Sequence, residues 1–453
     1  MDFKELLSLF NESFTFFCVF PALIILGAYL TIKLRFVQIT KIRLSFSYLL
    51  KKDPKSQGQI SHFEAISAVL AGNFGTGNIS GMAVAISTGG PGALVWMWVM
   101  AFFGAAIQYA SCILGVKYRQ KNQDGEYMGG PMYYLEKGLG WKKLGVLFAI
   151  LTTLGAITAG NFAQVNSMTL PLAQLGIDPL FSGLAIALFV GLVIFGGLKR
   201  MAKIASLIVP VKAFLYLGFA LIILLLNIDK VIPALQLMYI AAIDPSAVMG
   251  GVLGMGVLKA LTTGFDRGIF ATDAGTGIVP ILQSSAKTQN PVTDGIVTLA
   301  TPLCVMIVCT MTGLVLLVSG AWQQTDLKST NMVTYAFETG LGHSVGSYVV
   351  SCSLILFGYT TILAWGCCAE KAMHYLVGKR FANWYKYLYL ALIPVGALIH
   401  VDLIWTLADI CITTMLITNI AGVAFLSKQV IRESNNFFAK KEPLLSKITL
   451  EEA

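Results

Sequence analysis

The chain has 453 residues, of which 56% are apolar and only 12% charged, about half the charged share of an ordinary soluble domain. So few charges cannot clothe the several soluble domains this length would otherwise make, and the composition excludes a disordered or collagen-like chain. The net charge of +9 would suit a nucleic-acid partner. However, the basic residues sit in short patches between apolar runs of near 20 residues, the length that crosses a bilayer.

The sequence therefore predicts a polytopic all-α membrane protein embedded in a lipid bilayer, with no nucleic-acid partner. Eleven apolar segments follow one another, at about 14–32, 62–88, 91–115, 145–170, 180–197, 205–227, 247–282, 296–320, 345–369, 387–401 and 403–427. The first is no signal peptide, because Asp2 and Glu5 spoil a basic start and the apolar stretch is too long. Residues 228–246, with Pro233, Tyr239 and Asp244, suit a short interfacial helix.

The charges orient this array. With the N-terminus outside and the C-terminus cytoplasmic, the inner connections hold 26 Lys and Arg residues and the outer ones 3 (Lys4, Lys230 and Lys328). The positive-inside rule favours that orientation. Lys212, Lys259 and Arg267 lie within spans.

The eight cysteines all fall inside apolar segments without a CxxC motif, and the four histidines lack metal-ligand spacing. No cluster of acids, bases and nucleophiles suggests an enzyme. The absence of GxxxxGK[ST] argues against an ATP-driven pump.

Two segments read alike. Residues 73–79 are Asn-Phe-Gly-Thr-Gly-Asn-Ile and 273–279 are Asp-Ala-Gly-Thr-Gly-Ile-Val. Each lies in the first span of a five-span unit, 62–227 and 247–427, with 1–61 before them, 228–246 between and a cytoplasmic tail at 428–453. Five is odd, so the two units have opposite orientations. Inverted repeats with interrupted spans at corresponding positions point to a secondary transporter with a site at the midplane.

Glycine permits the unwinding. Backbone groups freed in mid-membrane are tolerated only where they line a cavity or bind something. A half-helix starting near Gly77 would aim N–H groups at an anion, while freed carbonyls suit a cation. Close helix packing is the alternative use of these glycines.

Other polar residues fall inside spans. Asp266, Arg267 and Asp273 lie in or beside the second break, as ligands or as a structural Arg–Asp pair. Gln164 and Asn166 can bind a ligand or join helices. Thr360 and Thr361 offer hydroxyl oxygens to a hard cation or back-bonds to their own helix. Trp365, four residues after Thr361, shares its helix face and could wall a pocket.

The stretches Gly75–Gly81, Gly89-Gly-Pro-Gly-Ala93 followed by Trp96-Met-Trp98, and Gly129-Gly-Pro-Met-Tyr-Tyr134 resemble the alanine or glycine:cation symporter family. Residues 160–166, 267–270 and 361–365 fit it too. The resemblance implies eleven transmembrane helices: a LeuT-type 5+5 inverted repeat preceded by one extra N-terminal helix. It implies symport of alanine or glycine with Na⁺, in some members with H⁺, across the inner (cytoplasmic) membrane.

By that resemblance, backbone at Gly72, Thr76 and Gly77 would hold the substrate carboxylate, and Gln164 would face the substrate. Backbone at Phe270 and nearby residues would meet the ammonium group, and Trp365 would limit side-chain size. Carbonyls of Ala71 and Phe74 with the hydroxyls of Thr360 and Thr361 would hold Na⁺, and Asn78 matches a second ion site. The second break departs from the family pattern at Thr272, Asp273 and Ile278, beside the expected pocket, so Thr272 is a candidate substrate contact and Asp273 an ion or structural residue. The alternatives are a proton-coupled carrier of another small amino acid and an uncoupled channel or receptor.

Overall fold

In the computed structural model, described residues are 3–49, 57–243, 256–324, 326–399 and 401–451. Residues 244–255, which hold the end of the expected outer segment and the start of the second repeat, lie outside them, as does His400. The described chain is nearly all helix. Its one paired sheet is a short hairpin, Gln120–Lys121 against Tyr127–Met128.

Among the described residues, seven helices are long and apolar enough to cross a membrane: Leu6–Lys33, Ala93–Lys117, Lys142–Gln174, Gly197–Leu226, Pro291–Val318, Ser344–Val377 and Trp405–Lys440. Pro179–Ile194 is a shorter apolar helix. The segment 62–88 and the described part of 247–282 are each split in two, and 387–401 begins earlier, within Lys379–Leu398. The interval 228–246 holds a helix at Ile228–Ile243, and the last helix runs through the expected tail to Glu451.

Sidedness shows in single helices. In Gly197–Leu226, Leu207, Val211, Phe214, Leu221 and Leu225 are exposed, while Met201, Ala205, Val209, Lys212, Tyr216, Ala220 and Ile223 are buried. These two stripes follow the helical repeat. The exposed stripe would be an aggregation hazard in water and is the expected lipid-facing surface in a bilayer. Lys212 is the polar exception on the inner stripe.

The first broken helix starts at a capping box. Ser61 Oγ accepts from the Glu64 N–H at 3.2 Å, and the Ser61 N–H donates to Glu64 Oε2 at 2.8 Å. His62–Asn73 then runs inward, gives way to a 3-10 turn at Thr76–Asn78 and resumes as Ser80–Gly89. The second broken helix is Val257–Thr272 followed by Ile278–Gln283.

The N-terminal helix is attached to the second broken one. Asn11 Nδ2 and Thr15 Oγ1 donate to the two oxygens of Asp266 at 2.9 and 2.6 Å, and Lys259 pairs with Glu12. Gly27 lets the N-terminal helix close on Phe103: a Cβ there would stand 2.6 Å from the Phe103 Cβ.

Candidate functional site

The first helix ends where Phe74 N–H makes its last helical bond, to Leu70 O at 2.7 Å. The carbonyls that follow find side chains instead. Thr361 Oγ1 donates to Ala71 O at 2.8 Å and Gly72 O at 3.2 Å. Asn78 Nδ2 donates to Asn73 O at 2.7 Å and Gly75 O at 3.1 Å. Lys212 Nζ donates to Phe74 O at 2.7 Å and also to Thr360 Oγ1. Gln164 Oε1 accepts the Thr76 N–H at 2.9 Å and its hydroxyl at 3.0 Å, while Gln164 Nε2 donates to Ala159 O at 2.9 Å. A buried break is thereby satisfied largely by side chains.

The second break is built differently. Asp273, Gly275 and Gly277 have φ of 50, 86 and 91°, in the left-handed region. Thr272 turns its hydroxyl back onto Gly268 O at 2.7 Å, and Thr276 Oγ1 donates to Asp273 O at 2.8 Å. Asn419 Nδ2 holds Gly275 O at 2.7 Å, and Asn73 Nδ2 reaches across from the first break to Thr272 O at 2.7 Å. Arg267, on the same helix, pairs with Asp409 and lies over the rings of Phe270 and Trp405.

The first break, with Phe270 of the second broken helix, faces a small buried cavity of about 10 Å³, room for roughly one water molecule. It is lined by Gly72, Asn73, Gly75, Gly77, Asn78, Ala159, Gln164, Phe270, Thr361, Trp365 and Ile412. Phe270 lies over Gly77 so closely that a Cβ there would stand 2.7 Å from its Cδ1. Trp365 presses on Gly160 inside the π-helical turn Thr158–Phe162. That turn comes just before Gln164 and shifts the register by which Gln164 faces the break.

Of the expected residues, Gly72, Gly77, Gln164, Phe270, Thr361, Trp365 and Asn78 meet at the cavity. Thr76 is joined to it through Gln164. Ala71, Phe74 and Thr360 lie one bond behind, on Thr361 or Lys212. Thr272 and Asp273 are fully buried in the second turn rather than on the lining.

Lining residues to which the sequence alone assigned no role are Asn73, Gly75, Ala159 and Ile412. Asn73 and Gly75 belong to the repeated motif, which marked them. Ile412, in the last helix, carries no signal that separates it from any other core isoleucine. Lys212 was visible only as a charge within a span.

The four oxygens expected to hold Na⁺ fall in two pairs, Ala71 O with Thr361 Oγ1 and Phe74 O with Thr360 Oγ1, and the second pair is bridged by the Lys212 ammonium. Thr361 spends its hydroxyl proton on Ala71 O and Gly72 O, and the Lys212 ammonium sits on Phe74 O and Thr360 Oγ1. With Lys212 there, the set does not fit a sodium ion. Among the described residues, no group of three or more His, Cys, Asp or Glu could hold a metal.

Two interrupted helices meeting at a buried polar cavity, within an array of apolar helices, define a membrane transporter. The chain belongs to the sodium:alanine symporter family, whose model matches residues 1–449. It is 42% identical to an uncharacterized transporter of Haemophilus influenzae, over 93% of this chain and 93% of that protein. It is 37% identical to the sodium/alanine symporter AgcS of Methanococcus maripaludis, over 96% and 98%. Among solved structures it resembles a manganese transporter of Eremococcus coleocola, with a TM-score of 0.52 at 16% identity, over 82% of this chain and 78% of that one. That likeness concerns the fold alone. The family is one of transporters, and with its several apolar helices the protein is a multi-pass membrane protein.

Proposed function

We propose that the protein is a secondary active transporter that accumulates a small neutral amino acid, alanine or glycine, by cation-coupled symport across the cytoplasmic membrane. One observation carries this: the first helix break and Phe270 of the second broken helix close on a single buried cavity whose lining has no charged side chain. A zwitterion brings its own pair of opposite charges and needs oriented dipoles for each.

The amides of Thr76 and Gly77, beside the Gly72 backbone, suit its carboxylate. Gln164 now accepts the Thr76 N–H, so a carboxylate arriving there displaces the Gln164 oxygen and frees that amide for itself. The carbonyls and ring face near Phe270 suit the ammonium group. Trp365 and Ile412 crowd the remaining side, which favours a hydrogen or methyl side chain over a larger one.

In this reading the ten core spans form a LeuT-type 5+5 inverted repeat over 62–227 and 247–427, after one extra N-terminal helix. The N-terminus is outside and the C-terminus cytoplasmic. Coupling arises because the cation binds the outward and inward states unequally. The family and its alanine-carrying relative support Na⁺ as that cation, with Asn78 and Asp273 as second ion ligands or structural residues. A second reading, proton coupling, is favoured because the Lys212 ammonium already lies on two of the expected sodium oxygens.

The test is uptake of labelled alanine and glycine into proteoliposomes with Na⁺ and proton gradients imposed separately. Accumulation above equilibrium under at least one gradient is expected. Equilibration without accumulation under both would make the protein an uncoupled channel or receptor instead.

A further inference from the structure

Lys212 is fully buried, on the inner stripe of Gly197–Leu226, yet it has no acidic partner among the described residues. Two of its three N–H bonds go to neutral oxygens, Phe74 O and Thr360 Oγ1. Its nitrogen also lies 4.8 Å from the centre of the Phe357 ring and 5.8 Å from that of Phe74, a cation–π arrangement. An unpaired ammonium in a membrane interior is costly. A lysine bound this way is expected where the fold needs a cation at that point.

The place it fills is specific. Phe74 O is a carbonyl left free by the first break, and Thr360 lies on the long helix His343–Val377. The ammonium joins the broken helix to that core helix through oxygens alone. This is the work an alkali ion would do, with the same single positive charge.

We infer that the Lys212 ammonium is a tethered replacement for a sodium ion at this position, so that substrate binding needs no Na⁺ there. The inference rests on the transport reading above and concerns which cation completes its site. A free sodium ion and the ammonium would sit within a few ångströms of each other in a poorly screened interior, where like charges repel strongly.

Nearby groups do not change this balance. On its own helix and those packed against it, the charged or titratable side chains near the level of Lys212 include Tyr216, bonded to Thr312, Cys309, bonded to Asn78, and Tyr359, whose hydroxyl donates to Phe189 O. Glu64 on His62–Asn73 lies ten residues from Phe74, and Glu370 and Lys371 lie ten and eleven residues from Thr360, about 15 Å along a helix.

The experiment measures equilibrium binding of labelled alanine and glycine to the purified full-length protein in Na⁺ and in choline buffers. The native protein is expected to bind equally in both, within about twofold. Lys212→Met removes the ammonium and frees Phe74 O and Thr360 Oγ1. Its binding is expected to fall at least tenfold in choline and to recover on adding Na⁺. Lys212→Arg keeps the charge and is expected to stay indifferent to Na⁺, which guards against a Met variant that fails to fold.

Native binding that rises tenfold with Na⁺ overturns the inference and leaves symport standing. The inference is equally overturned if the Met variant binds like the native protein in choline, or if the Arg variant loses binding or needs Na⁺. A native protein that binds neither amino acid in either buffer overturns the transport reading itself, and the inference with it.

Discussion

The two helix breaks share a Gly-Thr-Gly sequence but solve the same problem in opposite ways. At the first, Gly75 has an extended backbone with φ −95°, and no residue from 73 to 79 is left-handed. Its glycines are there for closeness. A Cβ at Gly75 would stand 3.0 Å from Gln164 Oε1 and Thr361 Oγ1, and one at Gly77 would meet the Phe270 ring. Its carbonyls are held by Thr361 and Lys212 from two other helices and by its own Asn78, and its Thr76 amide by Gln164 from a third. At the second, three left-handed residues make the turn, and its own threonines close it. A break held by removable side-chain bonds can trade them for a ligand. A break shaped by left-handed backbone, with Asn419 and Asn73 added on Gly275 O and Thr272 O, is the more fixed wall against which the first can move.

That contrast is tested most sharply by adding one methyl group to each. Gly277→Ala would place a Cβ 2.5 Å from Pro131 Cγ and 2.9 Å from the Phe148 ring, on a residue with φ 91°. The left-handed strain costs about 1–2 kcal/mol and the overpacking about 1–3 more. A large fall in the detergent melting temperature is expected, with little folded protein recovered. Gly77→Ala meets only the movable edge of Phe270, without left-handed strain. A smaller fall in melting temperature is expected, yet alanine uptake should drop at least tenfold, because the methyl enters the cavity. Equal damage to folding at both sites would end the distinction between a fixed and a yielding break.

Trp365→Phe comes next in size. Trp365 packs on Gly155 and Gly160 and lines the cavity. The smaller ring leaves space on the side away from the breaks. Competition assays should then show larger neutral amino acids displacing labelled alanine where they do not displace it from the native protein. An unmoved size limit would assign the tryptophan to packing.

What could be read in the sequence follows from how local each signal is. Long apolar helices are local, and among the described residues seven stand out by length and composition. The breaks were legible because glycine and threonine recur in an otherwise apolar setting, and Gln164 and Trp365 because each is conspicuous in its span. The partners were not legible. Lys212 meets Phe74 across 138 residues, and Asn11 meets Asp266 across 255. No periodicity encodes such pairings. The π-helical turn at Thr158–Phe162 was equally hidden, because one inserted residue leaves the hydropathy pattern intact. Ile412 shows the limit in its plainest form: an isoleucine lining a cavity has the same letter as one facing lipid.

The smallest expected effect is the most direct probe of how the first break is held. Thr361→Val keeps the shape of the side chain and deletes the hydroxyl that donates to Ala71 O and Gly72 O. Two buried carbonyls lose a donor, at about 1–3 kcal/mol. Part of that loss falls on the geometry of Gly72, which lines the cavity, rather than on the stability of the whole molecule. About 1 kcal/mol carried into binding weakens it roughly fivefold. Alanine affinity should therefore fall about fivefold while the melting temperature moves by only a few degrees. Because the lysine and not Thr361 fills the ion position, the ratio of binding in Na⁺ to binding in choline should stay as in the native protein. A Thr361→Val protein whose Na⁺ dependence changed, with affinity otherwise intact, would return this hydroxyl to a cation site and would blur the line between the break that binds and the ammonium that holds it.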